Sequence, residues 1–271
     1  MIKKILAIFL LFSSSALAQN SSYYVFDQTD NSIIVGEFVA EKRPIASLTK
    51  LMTALLVVES NINLAEKVKY HGGIFQTKMV RRDELLESLL IRSDNAAAEA
   101  LAASWYNGRT GFVKDMNVRA KQLGMSNTVY ADPSGLDPHN VSTAIDQSIL
   151  ISVAAQYPII TTTSSSKYIT IERKTKKKIN HVSIGNTNKN LLFEFDNIIL
   201  SKTGFTNPAG RCLALMVEKD QHKFVIVILG EKTIKDRENR ARQLINNYVT
   251  IKEKNLDENP FHLFDFNNLG K

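Results

Sequence analysis

Hydrophobic positions along this chain change their spacing several times, and each change marks an element. Residues 23–26 and 33–38 are short apolar runs, separated by Asp27, Gln28, Thr29, Asp30 and Asn31. Turn formers between two strand-like runs predict an antiparallel hairpin. Pro44 then breaks the chain. Beyond it, Leu48, Leu51, Met52, Leu55 and Leu56 fall at the i, i+3, i+4, i+7, i+8 spacing of a helix with one buried face. Residues 83–105 carry a helical pattern that Ser93-Asp94-Asn95 interrupts, which predicts two helices joined by a turn. Residues 96–103 are rich in alanine, small enough for helices to approach closely. Further helices are expected at 111–123 and 142–155, around a loop at 130–140 that holds Pro133, Gly135 and Pro138.

The pattern then turns to strands. Residues 168–171 are β-rich, and 198–200 lead as a strand into Ser201-Lys202-Thr203-Gly204. Residues 212–217 and 224–229 are apolar strands joined by 218–223, a second hairpin, and 234–249 form a closing helix. The polar run 161–166 reads as a loop or strand end. Strands near both chain ends with helices between them predict an α+β fold, an antiparallel sheet completed by the N- and C-terminal segments and flanked by helices. The block from about 60 to 160 reads as an inserted, mostly helical subdomain, within a main domain spanning 19–250.

The two ends read differently. Lys3 and Lys4 precede the apolar run 5–12, and Ala16-Leu17-Ala18 supplies small residues for cleavage. This is the pattern of a secretory signal peptide over 1–18, so the chain is expected to cross the inner membrane and act in the periplasm. No cysteine follows the cleavage point, which gives no support to a lipid anchor. Residues 251–271 read as a short tail, whose Asp257, Glu258 and Asp265 suit an anionic membrane poorly. Cys212 is the single cysteine of the 271 residues, which excludes an internal disulfide and suggests a buried thiol. The net charge of +7 suits acidic polymers at a cell surface without arguing for nucleic acid. The basic run 173–178 reads as a solvated hairpin tip. His71, His139, His181, His222 and His262 lack the close spacing of ligand pairs, so neither a metal nor another cofactor is expected.

Three short motifs carry chemistry: Ser47-Leu48-Thr49-Lys50, Ser93-Asp94-Asn95 and Lys202-Thr203-Gly204. A Ser-x-x-Lys arises by chance roughly once in a chain of this length, and a second copy does occur at Ser164 to Lys167. The other two arise in only about one such chain in twenty each, so the ordered triple is the signal. Ser47 and Lys50 lie one turn apart on one side of the predicted helix. Ser47 stands at the helix start, where free N–H groups favour developing negative charge. A serine hydroxyl must lose its proton to attack, and a lysine can take it only if burial and nearby cations, Lys202 among them, lower its pKa. Ser93 can relay a proton, Asn95 can donate its amide to a substrate carbonyl, and Lys202 and Thr203 can hold a carboxylate. Gly204 lets the substrate backbone approach the strand. Bland readings exist: Ser47 as a helix cap and Lys50 as a surface lysine.

The set Ser-x-x-Lys, Ser-Asp-Asn, Lys-Thr-Gly occurs in class A β-lactamases and penicillin-binding proteins. The chain resembles the D-alanyl-D-alanine carboxypeptidase family of low-molecular-mass penicillin-binding proteins. The likeness runs through 44–53, Leu123-Gly124-Met125, Pro133-Ser134-Gly135-Leu136, Ser142-Thr143-Ala144 and 202–206 with Ala209-Gly210. Residues 139–144, Asn186-Thr187-Asn188, Gly204 to Asn207 and Ala209 to Leu213 are most similar to its D-alanyl-D-alanine endopeptidase members. The resemblance implies a β-lactamase/transpeptidase-like fold, with Ser47, Lys50 and Ser93 catalytic and Asn95, Lys202, Thr203 and Gly204 binding substrate. It implies an oxyanion hole from the backbone N–H groups of Ser47 and Phe205, peptidoglycan stem peptides as substrate, and β-lactams as covalent inhibitors. Two departures stand out. Residues 68–83 look shorter than their family counterpart, which bears on deacylation, and the tail is too short for the extra β domain and anchor of carboxypeptidase-type members. Terminal D-Ala-D-Ala and cross-links both present a carboxylate beside the scissile amide, so carboxypeptidase activity stays open. A class A β-lactamase would need a Glu-x-x-Leu-Asn segment between Asn95 and Lys202, where none occurs. The motif triple speaks against a non-catalytic wall-binding module.

Overall fold

The computed structural model describes residues 20–75, 78–174 and 179–249. The expected leader at 1–18, the last part of the basic run at 175–178 and the tail at 251–271 lie outside the described residues.

The chain opens with β1 (Ser22–Asp27), β2 (Ser32–Glu37) and the short β3 (Arg43–Pro44). A 3-10 turn at Ala46–Leu48 leads into α1 (Thr49–Glu59). A small hairpin, β4 (Lys67–Lys69) and β5 (Met79–Arg81), precedes α2 (Arg82–Ile91), α3 (Asn95–Ala103) and α4 (Gly108–Gln122). Next come β6 (Val141–Ser142), α5 (Ala144–Ala154) and α6 (Pro158–Ser165). The last third holds β7 (Tyr168–Lys174), β8 (Ile179–Gly185), α7 (Lys189–Glu194), β9 (Ile198–Thr206), β10 (Gly210–Lys219), β11 (His222–Glu231) and α8 (Ile234–Leu244). A π-helical turn at Ile245–Val249 continues α8, so the closing helical stretch spans 234–249 as expected.

The main sheet is antiparallel, ordered β2-β1-β11-β10-β9, so both ends of the chain build it as expected. Its strands alternate between two cores. Leu213, Leu215, Ile226 and Ile228 pack with Ala241 and Leu244 of α8. Ala214, Met216, Val225 and Val227 pack with Leu51 and Leu55 of α1 and Leu150 of α5. A sheet covered on both faces needs near-continuous apolar strands, which is why β10 and β11 read that way in the sequence. β9 lies at the sheet edge, leaving one side of its backbone free of a strand partner in this sheet.

Two expectations change. The run 161–166 is not a loop: residues 158–165 form α6, with Pro158 in its first turn and Ile160 buried. Its hydroxyls bond back to the preceding turn, Thr162 Oγ1 donating to the Pro158 carbonyl (2.6 Å) and Ser165 Oγ to that of Thr161 (2.8 Å). Back-bonding satisfies these polar groups without breaking the helix. α1 is also more than one-faced, since every residue from Thr49 to Val57 is buried. It runs through the interior between the sheet and the other helices, and so carries Lys50 into the core. α7 lies in a stretch whose pattern predicts no element, while β8 pairs with β7 as the hairpin reading of the basic run implies.

Candidate active site

The nucleophile candidate sits just ahead of α1. Ala46 adopts φ +46°, a left-handed conformation costing an alanine about 1–2 kcal/mol. Such strain persists where the surroundings impose it. Here Ile45 N donates to the Asn140 carbonyl (3.0 Å) and β3 pairs with β6, clamping the approach to Ser47.

Lys50 reaches back one turn. Its Nζ donates to Ser47 Oγ (2.8 Å), to Asn95 Oδ1 (2.7 Å) and to the Ser134 carbonyl. Burial draws its pKa down to about 7, against the opposing pull of Asp132, Asp94 and Glu99. At that value the amine is neutral in a large fraction of molecules at neutral pH. A neutral amine keeps two donors, enough for Asn95 and Ser134, and offers its lone pair to the Ser47 hydroxyl. The loop that supplies Ser134 is held by the buried Asp132 carboxylate, whose Oδ1 accepts from the N–H of Ser134 (2.7 Å) and of Gly135, and whose Oδ2 accepts from that of Asp137 (2.6 Å). Gly135 is required there: its φ is +81° and a Cβ would stand 1.9 Å from the Ala46 carbonyl oxygen. Asp132 escaped the sequence reading, since nothing in the pattern marks a loop aspartate as facing a lysine. Its charge favours the ammonium form of Lys50. Asp132→Asn should therefore lower the Lys50 pKa and move the acidic limb of the kcat/KM profile to lower pH; a limb that stays in place or moves up would refute this coupling.

The second motif divides its work. Asp94 caps α3, its Oδ1 accepting from Ala96 N (2.9 Å) and Ala97 N (3.3 Å), while its Oδ2 accepts from the Tyr70 hydroxyl (2.7 Å). That anchorage holds Ser93, at φ +62°, and Asn95 on either side. Ser93 Oγ accepts from Lys202 Nζ (2.8 Å), which also donates to the Thr203 carbonyl (2.8 Å). Ser93 is thus tied to Lys202, and Asn95 to Lys50. Lys202 is buried, and its pKa lies well below the usual lysine range, first through burial and then through the positive charges of Lys50 and Arg237.

β9 alternates around this centre. Gly204 faces the nucleophile turn: a Cβ on it would stand 2.9 Å from the Ile45 carbonyl oxygen and 3.1 Å from Ser47 N. Gly204→Ala should push β9 off that turn and slow penicillin acylation about a hundredfold, as loss of an oxyanion donor does. Stopped-flow measurement of an unchanged acylation rate would show that the close approach is dispensable. Thr203 Oγ1 donates to Thr187 Oγ1 (2.7 Å). Ser47, Ser93, Thr203, Gly204 and Phe205 line one cleft of about 430 Å³, together with Arg92, Lys189, Arg211, Arg237 and Glu238. Arg92 ends α2, whereas Arg211 and Arg237 come from β10 and α8, and their place in the cleft depends on packing that no local motif announces.

A family model described as D-alanyl-D-alanine carboxypeptidase matches residues 13–233. The chain belongs to that family. Like its relatives in this family of serine DD-peptidases, it is an enzyme, and the expected antiparallel sheet with flanking helices is the fold that solved penicillin-binding proteins share. D-alanyl-D-alanine endopeptidase of Escherichia coli is 35% identical over 224 residues, 78% of this chain and 71% of the relative. A D-alanyl-D-alanine carboxypeptidase of Bacillus subtilis is 28% identical over 249 residues, 86% of this chain and 63% of the relative. Penicillin-binding protein D2 of Listeria monocytogenes, solved in a cefotaxime-bound form, superposes with a TM-score of 0.74 at 28% identity, covering 83% of this chain and 95% of that one.

Other chemistry-bearing residues lie apart. The second Ser-x-x-Lys does not assemble: Ser164 is buried in α6 with its Oγ accepting from Ser201 N (3.4 Å), and Lys167 pairs with Asp196. Cys212 is buried, which pushes its thiol up to about 11. The strand pairing does gather Asp27, Asp30 and His222 within 4.8 Å, a His–carboxylate group that sequence spacing could not reveal. Asp27 Oδ2 bonds His222 Nδ1 (2.9 Å), and its Oδ1 accepts from the N–H groups of Thr29 and Asp30 in the hairpin turn. No helix among the described residues is long and apolar enough to cross a membrane.

Proposed function

We propose that this chain cuts D-alanine-containing peptide bonds of peptidoglycan through an acyl-enzyme on Ser47, in the periplasm, with cross-links between stem peptides as its preferred substrate. The observation that carries the reading is the 2.8 Å contact of Ser47 Oγ with a buried lysine whose pKa lies about 7. Neutral Lys50 takes the Ser47 proton as Oγ attacks the scissile carbonyl. The developing oxyanion is held by the N–H groups of Ser47 and Phe205. The proton passes to the leaving amine through Ser93, whose hydroxyl is held by Lys202. Asn95 Nδ2 donates to a substrate carbonyl while its Oδ1 holds Lys50. Thr203, with Lys202 and Arg237 beside it, receives the carboxylate next to the scissile bond. Water then releases the acyl group. β-Lactams acylate Ser47 as mimics of the same substrate, and the block from about 60 to 160 forms the helical wall of the cleft.

The cross-link preference is supported by the 35% identity to an endopeptidase over most of its length, against 28% to a carboxypeptidase. Purified protein incubated with cross-linked stem dimer and with pentapeptide monomer tests the choice: conversion of dimer to monomers is expected, and release of free D-alanine alone would make the enzyme a carboxypeptidase. Rapid, repeated turnover of penicillin would instead make it a β-lactamase.

A further inference from the structure

We propose that Arg211, laid against Phe205, forms a carboxylate-binding subsite for the leaving stem of a cross-linked peptide. Arg211 is the direct cross-strand partner of Phe205, as Leu213 is of Thr203. Side chains two apart on a strand share a face, so Thr203, Phe205 and Arg211 all look toward the α8 side. The Arg211 guanidinium carbon stands 3.4 Å from the centre of the Phe205 ring. The ring is 44% exposed, and both residues line the cleft that holds Ser47.

The charge there is unbalanced. Among the described residues Arg211 has no acidic partner, and its Nε is buried without a hydrogen bond. Arg237 is 4% exposed, and its Nε also lacks a partner. Glu238 is 3.8 Å from Arg237 and also accepts from Asn190 and Arg242, while Glu231, across from Arg211 on β11, is engaged by Arg240. Two guanidiniums whose neighbouring carboxylates are shared with other donors call for an anion from outside.

One anion is already assigned, since the carboxylate beside the scissile amide belongs to Thr203. Phe205 lies two residues further along β9, about 7 Å away. A peptide that ends in D-alanine stops at the first carboxylate and has nothing to place there. A cross-linked leaving stem continues and carries further carboxylates. The subsite therefore rests on the endopeptidase reading and gives it a physical cause.

Arg211→Ala, Arg211→Lys and the parent chain are compared on cross-linked dimer and on pentapeptide. The alanine variant should lower the dimer-to-pentapeptide ratio of kcat/KM by about tenfold or more through KM, the worth of one charge-assisted bond, and lysine should restore most of it. Equal losses on both substrates would reduce Arg211 to a prop for Phe205 and overturn the subsite, as would no loss. If the parent chain leaves the dimer intact, the endopeptidase reading fails by itself. The subsite is then read by competition: free tetrapeptide stem should slow penicillin labelling of Ser47 about tenfold more effectively in the parent than in Arg211→Ala, and equal protection overturns it.

Discussion

Ser47→Ala should carry no penicillin adduct in intact-protein mass spectrometry and should cleave stem peptides about 10⁴-fold or more slowly than the parent. The size follows from what the substitution removes. The other hydroxyls near the cleft are engaged or enclosed: Ser93 Oγ accepts from Lys202, Thr203 donates to Thr187, and Ser164 is buried in α6. Loss of a serine nucleophile from a cooperating set costs roughly as much as loss of the whole set. The fold should survive, since Ser47 Oγ contributes one side-chain bond, to Lys50. A variant that still takes up penicillin, or keeps its rate, would move the chemistry elsewhere. Loss of the adduct in a folded variant separates an enzyme from a wall-binding module that merely keeps the fold.

The second large effect is expected at Lys50, with a definite sign against pH. Burial favours the neutral amine, which lowers the pKa to about 7. The base works only when neutral, so kcat/KM should climb with pH through about 7 and level off above it. Lys50→Ala should lower kcat/KM about a thousandfold, the usual worth of a positioned base, and abolish that limb. Retention of the limb in the alanine variant would assign it to another group, Lys202 being the nearest alternative. Lys50→Arg should be no rescue, because a guanidinium does not deprotonate in this range.

Much of this site was legible along the chain. The two hairpins, the helix behind Ser47 and the turn at Ser93 to Asn95 follow from apolar spacing and turn chemistry, and the structure has them within a few residues. The exceptions are instructive. α6 is built from a Thr/Ser run that reads as loop; it is helical because its hydroxyls find carbonyls in its own preceding turn and Ile160 finds a buried place. α1 reads as one-faced, yet it is enclosed on all sides. Asp132 and Arg211 carried no local signal, because their importance lies in what stands opposite them: a lysine 82 positions away in one case, and an aromatic ring on a neighbouring strand in the other.

The sequence by itself determined which atoms are available for chemistry. The ordered triple names a hydroxyl, two amines and an amide, and helical periodicity already places Ser47 and Lys50 on one side of a turn. Local spacing suffices there because a helix fixes neighbours three apart by geometry alone. Only the tertiary structure decided the protonation and the company of those groups. Burial of α1 against the sheet and the Asp132 loop lowers the Lys50 pKa, burial and then the charges of Lys50 and Arg237 depress Lys202, and Arg211 and Arg237 join the cleft because β10 pairs with β9 and α8 packs behind it. Desolvation and Coulomb interactions act through space, so the sequence could name the three motifs, but the fold had to bring them together before they could act as a site.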